Sequence, residues 1–303
     1  MPYDKYSFAR LASRPAVASA ITVSGTTFFY EGDGRRISGQ IHMPTDASAS
    51  ARTTYPVIVM ARGYVDKAIY QTGVGTRPAA AYYASRGFIT LAPDFSGYGQ
   101  SDSEDPDPFG ARLTKPVEII DLLASLPSLP QADLSHVYLW GHSNGGQIML
   151  SVAEILGGMN LQGQTLKATI RGLTLWAPVS KPFPYNILYY TDQPPDSPAP
   201  GASSVPDDEG KLLRKELADF EVNYDVLNYS IDKYVDWITI PIQLHQGTAD
   251  PLVPKAWSDT LVKTLKSDGK TVQYWTYPGA DHNLSTGWNI VVARDVEWWQ
   301  SLQ

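Results

Sequence analysis

The sequence predicts an α/β fold with a mostly parallel, doubly wound sheet, an N-terminal antiparallel hairpin and an inserted lid. From residue 56 onward, short apolar runs alternate with helical stretches, the pattern of βαβ units. Two β-rich runs, residues 21–30 and 36–43, flank an EGDG turn and predict the hairpin. The alternation fails only at residues 179–237. We therefore interpret residues 1–303 as a single domain with a lid or cap inserted at 179–237.

Each core element has its own local signal. Continuous apolar runs are typical of strands buried on both faces of a parallel sheet, and proline and glycine mark helix ends. Pro116 is expected in the first turn of its helix and Pro127 just after its end. The predicted strands are 56–60, 88–92, 137–140, 170–176, 241–245 and 272–277, and the predicted helices are 79–86, 116–126, the stretch after 145, 255–265 and 288–302.

The insertion is rich in proline in its first half, which excludes regular helix and central strand there. Residues 211–234 are predicted to be helical, and for residues 194–206 the alternative is an irregular surface loop. Because the insertion follows a strand ending at Trp176, we expect it over the carboxyl edge of the sheet, where ligands bind in open α/β folds. Its prolines are Pro182, Pro184, Pro194, Pro195, Pro198, Pro200 and Pro206.

Aromatic residues of the insertion have two interpretations. They line an apolar acyl pocket with a few hydroxyl groups, or they pack the lid onto the core. The residues are Phe183, Tyr185, Tyr189, Tyr190, Tyr224 and Tyr229.

Composition and charge limit the function classes. The chain has 303 residues, of which 43% are hydrophobic and 18% charged, as in ordinary globular proteins. A net charge of -7 without a lysine or arginine run argues against a nucleic-acid partner. The absence of cysteine excludes disulfides, thiolate metal sites and cysteine nucleophiles. No cofactor is predicted, and no metal, because no histidine pair has ligand spacing with a carboxylate.

Targeting signals are weak. Residues 16–20 (AVASA) resemble a cleavage site, but residues 1–14 are polar and lack an apolar core. No apolar run approaches the roughly 18 residues that a membrane-spanning helix needs. We expect a cytoplasmic protein without an integral membrane segment, and the sequence leaves a homo-oligomer open.

Residues 137–153 (VYLWGHSNGGQIMLSVA) predict a strand, a tight turn and a helix, with Ser143 in the turn. A serine on so sharp a turn has a strained backbone and needs neighbours without side-chain bulk, here Gly141 and Gly145. The helix would direct its free amides towards a developing oxyanion. This is the G-x-S-x-G nucleophile elbow in its required context. The alternative is a glycine-rich turn with an exposed serine.

A serine hydroxyl needs a base to accept its proton, and a carboxylate to orient that base. Asp250 and His282 each follow a predicted strand, so both are expected at the edge where Ser143 emerges. The order Ser143, Asp250, His282 is the order expected for this motif. Asp281 adjoins His282 and is poorly placed to reach its far ring nitrogen, which favours Asp250; the alternative for Asp250 is a turn residue before proline.

The other histidines are less suitable as the base. His142 adjoins the nucleophile on a sharp turn, where neighbouring side chains point apart, and it is interpreted as packing or pocket wall. His245 lies within a strand. His42 and His136 lie far from the catalytic edge in this topology.

Backbone amides are the expected oxyanion donors. One is the amide of Asn144, directly after the nucleophile, and the other comes from the loop after the first parallel strand, where we choose Tyr64.

Four motifs together carry a family resemblance. They are GHSNGG at 141–146, GTAD at 247–250, YPGADH at 277–282 and DFSGYGQS at 94–101. They resemble the α/β-hydrolase superfamily, and most closely the prolyl oligopeptidase-type catalytic domain and related acyl esterases. The resemblance covers about residues 57–302 except the insertion and implies the triad Ser143, Asp250 and His282.

Two departures from that group affect the expected activity. Its peptidases usually carry a large N-terminal domain, whereas about 55 residues precede the first core strand here. The oxyanion loop usually opens with His-Gly, whereas this chain has Arg62-Gly63. We expect a serine esterase of the carboxylesterase type acting on a small-molecule ester through an acyl-enzyme on Ser143. The alternatives are a serine aminopeptidase or acylpeptidase with the same triad, and a non-catalytic ligand-binding protein on this scaffold.

Overall fold

A computed structural model describes residues 1–44, 53–191 and 211–303 and has the predicted α/β architecture. Its nine-stranded sheet has the order β1-β2-β3-β5-β4-β6-β7-β8-β9. The strands are β1 (Thr22–Ser24), β2 (Thr27–Gly32), β3 (Arg35–His42), β4 (Tyr55–Ala61), β5 (Ile89–Pro93), β6 (Ala132–His142), β7 (Ile170–Trp176), β8 (Ile242–Gly247) and β9 (Val272–Tyr277). The α-helices are α1 (Phe8–Ser13), α2 (Arg77–Ala84), α3 (Pro108–Ser125), α4 (Asn144–Leu161), α5 (Tyr185–Thr191), α6 (Lys211–Asn223), α7 (Lys255–Ser267) and α8 (Trp288–Ser301).

The N-terminal strands form the antiparallel part of the sheet. β1 pairs with β2, β2 with β3 and β3 with β5, all antiparallel. The single strand predicted at residues 21–30 is two strands, because the chain turns at Gly25, where φ is +61°. From β5 to β9 every pairing is parallel, so these strands end at one edge of the sheet.

Both faces of the parallel strands are buried. In β4, Val57 and Val59 belong to one hydrophobic cluster and Ile58 and Met60 to another on the opposite face. The first cluster contains residues of α3 and α4, and the second contains residues of α2 and α8. Alternate side chains of a strand point to opposite faces, so a doubly covered sheet requires the continuous apolar run that predicted this strand.

Helix α3 differs from its prediction. It begins at Pro108 rather than near Pro116, and Pro116 lies inside it. The carboxylate of Asp107 accepts hydrogen bonds from the amides of Phe109 and Gly110 and so caps the new start. The sequence signal was ambiguous because Pro108 and Pro116 both suit a first helical turn.

The insertion between β7 and β8 contributes to the core. α6 ends at Asn223 rather than continuing to Tyr234, and 3-10 turns follow at Val226–Tyr229 and Val235–Trp237. Phe220 stacks on Phe109 of α3, with ring centroids 5.2 Å apart, and on Tyr224 at 4.6 Å. The irregular loop suggested for residues 194–206 lies outside the described residues, and the lid stays a prediction. None of the described helices is long and apolar enough to cross a bilayer.

Candidate active site

Ser143 stands between the end of β6 and the start of α4 with φ of 56° and ψ of -123°. This region of backbone space is unfavourable for a side chain, so the surrounding structure must hold it. The Ser143 amide donates to the Trp176 carbonyl at 2.9 Å, and the Ser143 carbonyl accepts from the amides of Gly146 and Val179 at 2.9 Å each. The turn is thus fixed to the exit of β7 and to the first turn of α4.

The glycines that flank Ser143 lie where backbones approach closely. A Cβ atom at Gly145 would stand 2.0 Å from the Ala61 carbonyl oxygen of β4. One at Gly141 would stand 2.5 Å from the Gly145 carbonyl oxygen. A side chain at either position would force β4, β6 and α4 apart, which is why this turn requires glycine on both sides.

Asp250 and His282 meet after two adjacent strands. The last residues of β8 and β9, Gly247 and Tyr277, are partners in the parallel ladder. The loops that follow remain joined, since the Ala249 amide donates to the Ala280 carbonyl at 3.0 Å. His282 Nδ1 donates to Asp250 Oδ2 at 2.9 Å, which leaves Nε2 as the ring nitrogen free to act as a base.

The Asp250 carboxylate is surrounded by donors. Oδ1 accepts from the amides of Leu252 and Val253 at 2.8 and 2.9 Å, and Oδ2 also accepts from Gln246 Nε2 at 3.1 Å. Burial alone would raise the pKa of Asp250, but the hydrogen bonds from His282 and the two amides outweigh it and lower the pKa. The carboxylate therefore stays ionised beside His282. Gln246 was missed, because a glutamine at a strand end carries no sequence signal.

Asp281 faces elsewhere. Its carboxylate accepts from the amide and the hydroxyl of Ser285, both at 2.9 Å. The hydrogen bond from the Ser285 amide is the largest cause of the lowered pKa of Asp281. This is a capping role at a helical turn, so Asp281 is not directed at the His282 ring.

His245 and His136 contact residues other than the proposed triad. His245 is fully buried, with Nδ1 2.7 Å from the Tyr277 hydroxyl and Nε2 2.9 Å from Asp295 Oδ1. His136 contacts Asp133 near the start of the β6 core. Neither is next to Ser143.

His142 contacts His282 directly. The two rings are 4.7 Å apart between centroids, and His142 Nε2 donates to the His282 backbone carbonyl at 3.0 Å. Burial and the neighbouring His282 lower the pKa of His142 to about 4, so His142 is neutral at physiological pH. The sequence predicts packing or pocket wall for His142; in the structure its ring also joins the elbow to the His282 loop.

The loop after β4 lies against the nucleophile. A Cβ atom built on Gly63 would stand 3.0 Å from Ser143 Cβ and 3.5 Å from Oγ. Tyr64 follows, with its side chain 62% exposed. In the described part of the chain, neither the Tyr64 amide nor the Asn144 amide at the start of α4 has a hydrogen-bond partner. Both predicted donor amides are therefore unpaired among the described residues, and their role as oxyanion donors stays a prediction.

Arg62 fixes this loop from beneath. Its side chain is 5% exposed, and its guanidinium carbon lies 4.3 and 4.1 Å from the ring centroids of Tyr70 and Tyr98. Nη1 donates to the Gly63 carbonyl at 2.9 Å and Nη2 to the Asp94 carbonyl at 3.1 Å. The sequence marked Arg62 only as a departure from His-Gly and gave no sign of this role.

A cavity of about 70 Å³ adjoins the elbow on the side of α4. Asn144 and Gln147 lie on its wall, and Phe183 and Tyr229 of the insertion line it as well. The remaining aromatic candidates are placed differently: Tyr185 is exposed, Tyr189 and Tyr190 pack on Trp257, and Tyr224 packs on Tyr3 and Phe220. Among the described residues, no three histidine, aspartate or glutamate side chains group as metal ligands.

Residues 63–289 match the model of the alpha/beta hydrolase family. Over 220 residues, or 69% of this chain, the sequence is 26% identical to dipeptidyl peptidase family member 6 of Caenorhabditis elegans. The match covers 26% of that relative. This chain therefore spans about a quarter of the length of the curated relative that it matches.

Solved structures of peptidases and esterases share the fold. The puromycin-hydrolyzing peptidase of Mycobacterium tuberculosis superposes with a TM-score of 0.66 at 17% identity, over 95% of this chain and 40% of that one. Est1E from Butyrivibrio proteoclasticus superposes with a TM-score of 0.60 at 17% identity, over 92% of this chain and 99% of that one. Acetyl xylan esterase 1 from Thermoanaerobacterium sp. superposes with a TM-score of 0.60 at 14% identity, over 98% of this chain and 93% of that one. At these identities the likeness concerns the fold.

Proposed function

The chain belongs to the alpha/beta hydrolase family, and from this premise we propose that it is a serine hydrolase that cleaves carboxylic esters through an acyl-enzyme on Ser143. One observation carries the proposal. His282 donates to the ionised Asp250 while it packs against His142, the neighbour of Ser143 on the elbow. A carboxylate, a histidine and a serine held on a strained turn are the parts that nucleophilic acyl transfer requires.

In the first half-reaction, His282 Nε2 takes the proton of the Ser143 hydroxyl as Oγ attacks the ester carbonyl carbon. The negative charge moves to the carbonyl oxygen, where the amides of Asn144 and Tyr64 would stabilise it. When the tetrahedral intermediate collapses, the bond to the alkoxy oxygen breaks and His282 donates its proton to the leaving alcohol. Asp250 stabilises the transient imidazolium and keeps Nδ1 protonated.

In the second half-reaction, water replaces the alcohol. His282 accepts a proton from the water molecule as the water oxygen attacks the carbonyl carbon of the acyl-enzyme. The intermediate releases the carboxylic acid, and the proton returns to Ser143 Oγ. The cycle balances with one ester and one water consumed, and one alcohol and one acid formed.

The peptidase alternative uses the same triad and is favoured by the names of two relatives. An amine is a poorer leaving group than an alcohol, so an aminopeptidase needs a firm anchor for the substrate's amino terminus. Carboxylates are the usual anchors for an ammonium group, and none of the described residues that line the cavity is acidic. The charged residues there are Arg112 and Lys115, which supports the esterase proposal.

Parallel assays on 4-nitrophenyl esters and aminoacyl 4-nitroanilides test the proposal. We expect the purified protein to hydrolyse the esters with a kcat/KM at least about 100-fold above that for the anilides, a difference of roughly 2.7 kcal/mol. Faster anilide hydrolysis would favour the peptidase.

A fluorophosphonate probe separates a catalyst from a non-catalytic binding protein. Wild type should be labelled covalently and Ser143→Ala should not be. Ser267→Ala, which alters an exposed serine at the end of α7, is the matched control and should be labelled like wild type. Unlabelled wild-type protein would contradict an activated serine.

A further inference from the structure

Two cations of α3 line the cavity beside the elbow. Arg112 and Lys115 are three residues apart, so they lie on the same face of the helix. Asn144 and Gln147 of α4 border the same cavity. The esterase chemistry described above does not use either cation.

Among the described residues, Glu104 and Glu118 act electrostatically on these cations, but neither carboxylate forms an ion pair with them. Across residues 1–44, 53–191 and 211–303, no carboxylate lies within ion-pair distance of Arg112 or Lys115. Glu118, one turn further along α3, is fully buried and accepts from the Ser96 amide at 3.2 Å. Burial raises the pKa of Glu118 to about 7, which makes it a weak partner for a cation.

The two cations also repel each other. Burial, followed by the positive charges of Arg112 and Arg62, lowers the pKa of Lys115 to about 8. Arg112 is exposed and Lys115 is half-buried, so solvent screens part of this repulsion, and a bound anion would relieve the rest. The arrangement is therefore that of an anion-binding site.

The cavity lies on the acyl side of the reaction centre. The leaving alcohol must be near His282, which gives it a proton, and His282 does not line the cavity. Asn144, one of the two proposed oxyanion donors, does line it. A group in the cavity would thus belong to the part of the substrate that stays on Ser143.

We propose that Arg112 and Lys115 bind a carboxylate at the far end of the substrate's acyl group, so that the preferred substrates are monoesters of short dicarboxylic acids. A guanidinium group matches a carboxylate with two parallel hydrogen bonds, and an ammonium group adds a third. A cavity of about 70 Å³ limits the acyl chain to a few carbons between the two carbonyl groups. This specificity rests on the proposed ester hydrolysis at Ser143.

The kinetic test compares two esters of equal size. One is mono-4-nitrophenyl glutarate, and the other is the 4-nitrophenyl ester of glutaramic acid, in which a neutral amide replaces the carboxylate. We expect wild type to prefer the glutarate ester in kcat/KM, and Arg112→Gln and Lys115→Gln each to lower that preference about tenfold, as expected for one charge-assisted hydrogen bond. Lys167→Gln, an exposed lysine before β7 at the opposite edge of the sheet, is the matched control and should keep the wild-type ratio.

A binding test separates this proposal from the proposed activity. Calorimetry on Ser143→Ala should show glutaramate binding at least about tenfold tighter than neutral glutaramide, and the added Arg112→Gln and Lys115→Gln substitutions should remove the difference. If wild type hydrolyses neither ester but this selectivity is present, the anion site stands and the esterase proposal fails. If both esters are hydrolysed equally well, or if the double variant keeps the wild-type ratio, the anion site is overturned.

Discussion

Arg62 Nη1 donates to the carbonyl of the next residue, Gly63, at 2.9 Å. In a trans peptide, the carbonyl of Gly63 and the amide of Tyr64 point in opposite directions. By holding the carbonyl, Arg62 fixes the direction of the amide proposed as an oxyanion donor. The guanidinium group lies over the rings of Tyr70 and Tyr98, which hold it in turn, so the orientation of this amide is set before substrate arrives.

The first prediction concerns Arg62 as a positioning residue. Arg62→Lys keeps a positive charge but loses the planar fork that joins two carbonyls. We expect kcat on a 4-nitrophenyl ester to fall about 10- to 100-fold with KM changed less than about threefold, since the amide acts mainly on the transition state. Arg36→Gln is the matched control, because Arg36 also stacks on a ring and donates to a carbonyl, but on the N-terminal strands. A fall in melting temperature with unchanged kcat would show that Arg62 serves stability alone.

The second prediction concerns the nucleophile. Ser143→Ala should lower kcat by about 10⁴-fold or more, because the triad acts as a unit. Circular dichroism and the melting temperature should stay near wild type, since the Ser143 hydroxyl is not part of either hydrophobic cluster. Retention of a tenth of the activity in clean protein would contradict the assignment.

The third prediction separates two aspartates. Asp250→Asn replaces an acceptor of four hydrogen bonds, so turnover should fall on the order of 10³-fold, with His282 left in the wrong tautomer. Asp281→Asn is the matched control and should change turnover less than about threefold, because Asp281 bonds Ser285. Steady-state kinetics on one ester decides between them, and reversed effects would identify Asp281 as the acid.

The fourth prediction concerns pH and His142. Its pKa is about 4 in the folded protein against an ordinary 6.5, so between these values the unfolded chain binds a proton that the folded chain does not. The contribution of His142 to the free energy of unfolding should therefore fall as pH drops from about 6.5 to about 4, while Glu118, whose pKa is raised to about 7, acts in the opposite direction. The lowered pKa of Asp250 changes the free energy of unfolding in the same direction as His142, but only once the pH falls below the ordinary pKa range of carboxylates.

Urea unfolding at several pH values measures this dependence. His142→Gln, which keeps an amide donor for the His282 carbonyl, should remove the part of the pH dependence that His142 contributes. His136→Gln, at a half-buried histidine remote from the elbow, should leave it as in wild type. An unchanged slope in His142→Gln would show that other groups dominate the acid sensitivity.

The fifth prediction concerns acyl-chain selectivity. Phe183→Ala removes a large ring from the cavity wall, so kcat/KM for longer acyl esters should rise relative to acetyl esters by roughly tenfold, the effect of one or two methylenes. Tyr185→Ala changes an exposed ring of the same segment and should leave the ratio unchanged. Equal loss on all chain lengths with a lower melting temperature would make Phe183 a packing residue only.

The sequence was informative where a residue type has one local meaning. The apolar runs of β7 and β9 predicted both strands with their observed ends, and the elbow motif placed Ser143 between strand and helix. It was less informative where two meanings compete: Pro116 suits the first turn of a helix, yet Asp107 and Pro108 start α3 earlier. Residues 21–30 are β-rich throughout, and only the backbone shows that Gly25 divides them.

Contacts that no sequence motif marks could not be predicted. Arg62 reaches Asp94 only because the loops after the neighbouring strands β4 and β5 meet at one edge of the sheet, and Gln246 reaches Asp250 only because the turn after β8 folds back on the strand end. The pairing of Asp250 with His282 was predictable because the motif order carries it. Arg112 and Lys115 of α3 carry no sequence signal for anion binding. That role depends on the cavity between α3 and α4, which no carboxylate of the described residues lines.

The beginning of the chain forms part of the cavity wall. Tyr6, Phe8 and Leu11 line it, and the Tyr3 carbonyl accepts from the Tyr229 hydroxyl at 3.3 Å. More than a hundred residues of sequence separate this part of the wall from Ser143, and none of the six parallel strands, β4 to β9, contributes to it. Substitutions in these first residues would therefore change the shape of the cavity without moving Ser143, Asp250 or His282, so the proposed acyl selectivity would change independently of the proposed catalytic groups.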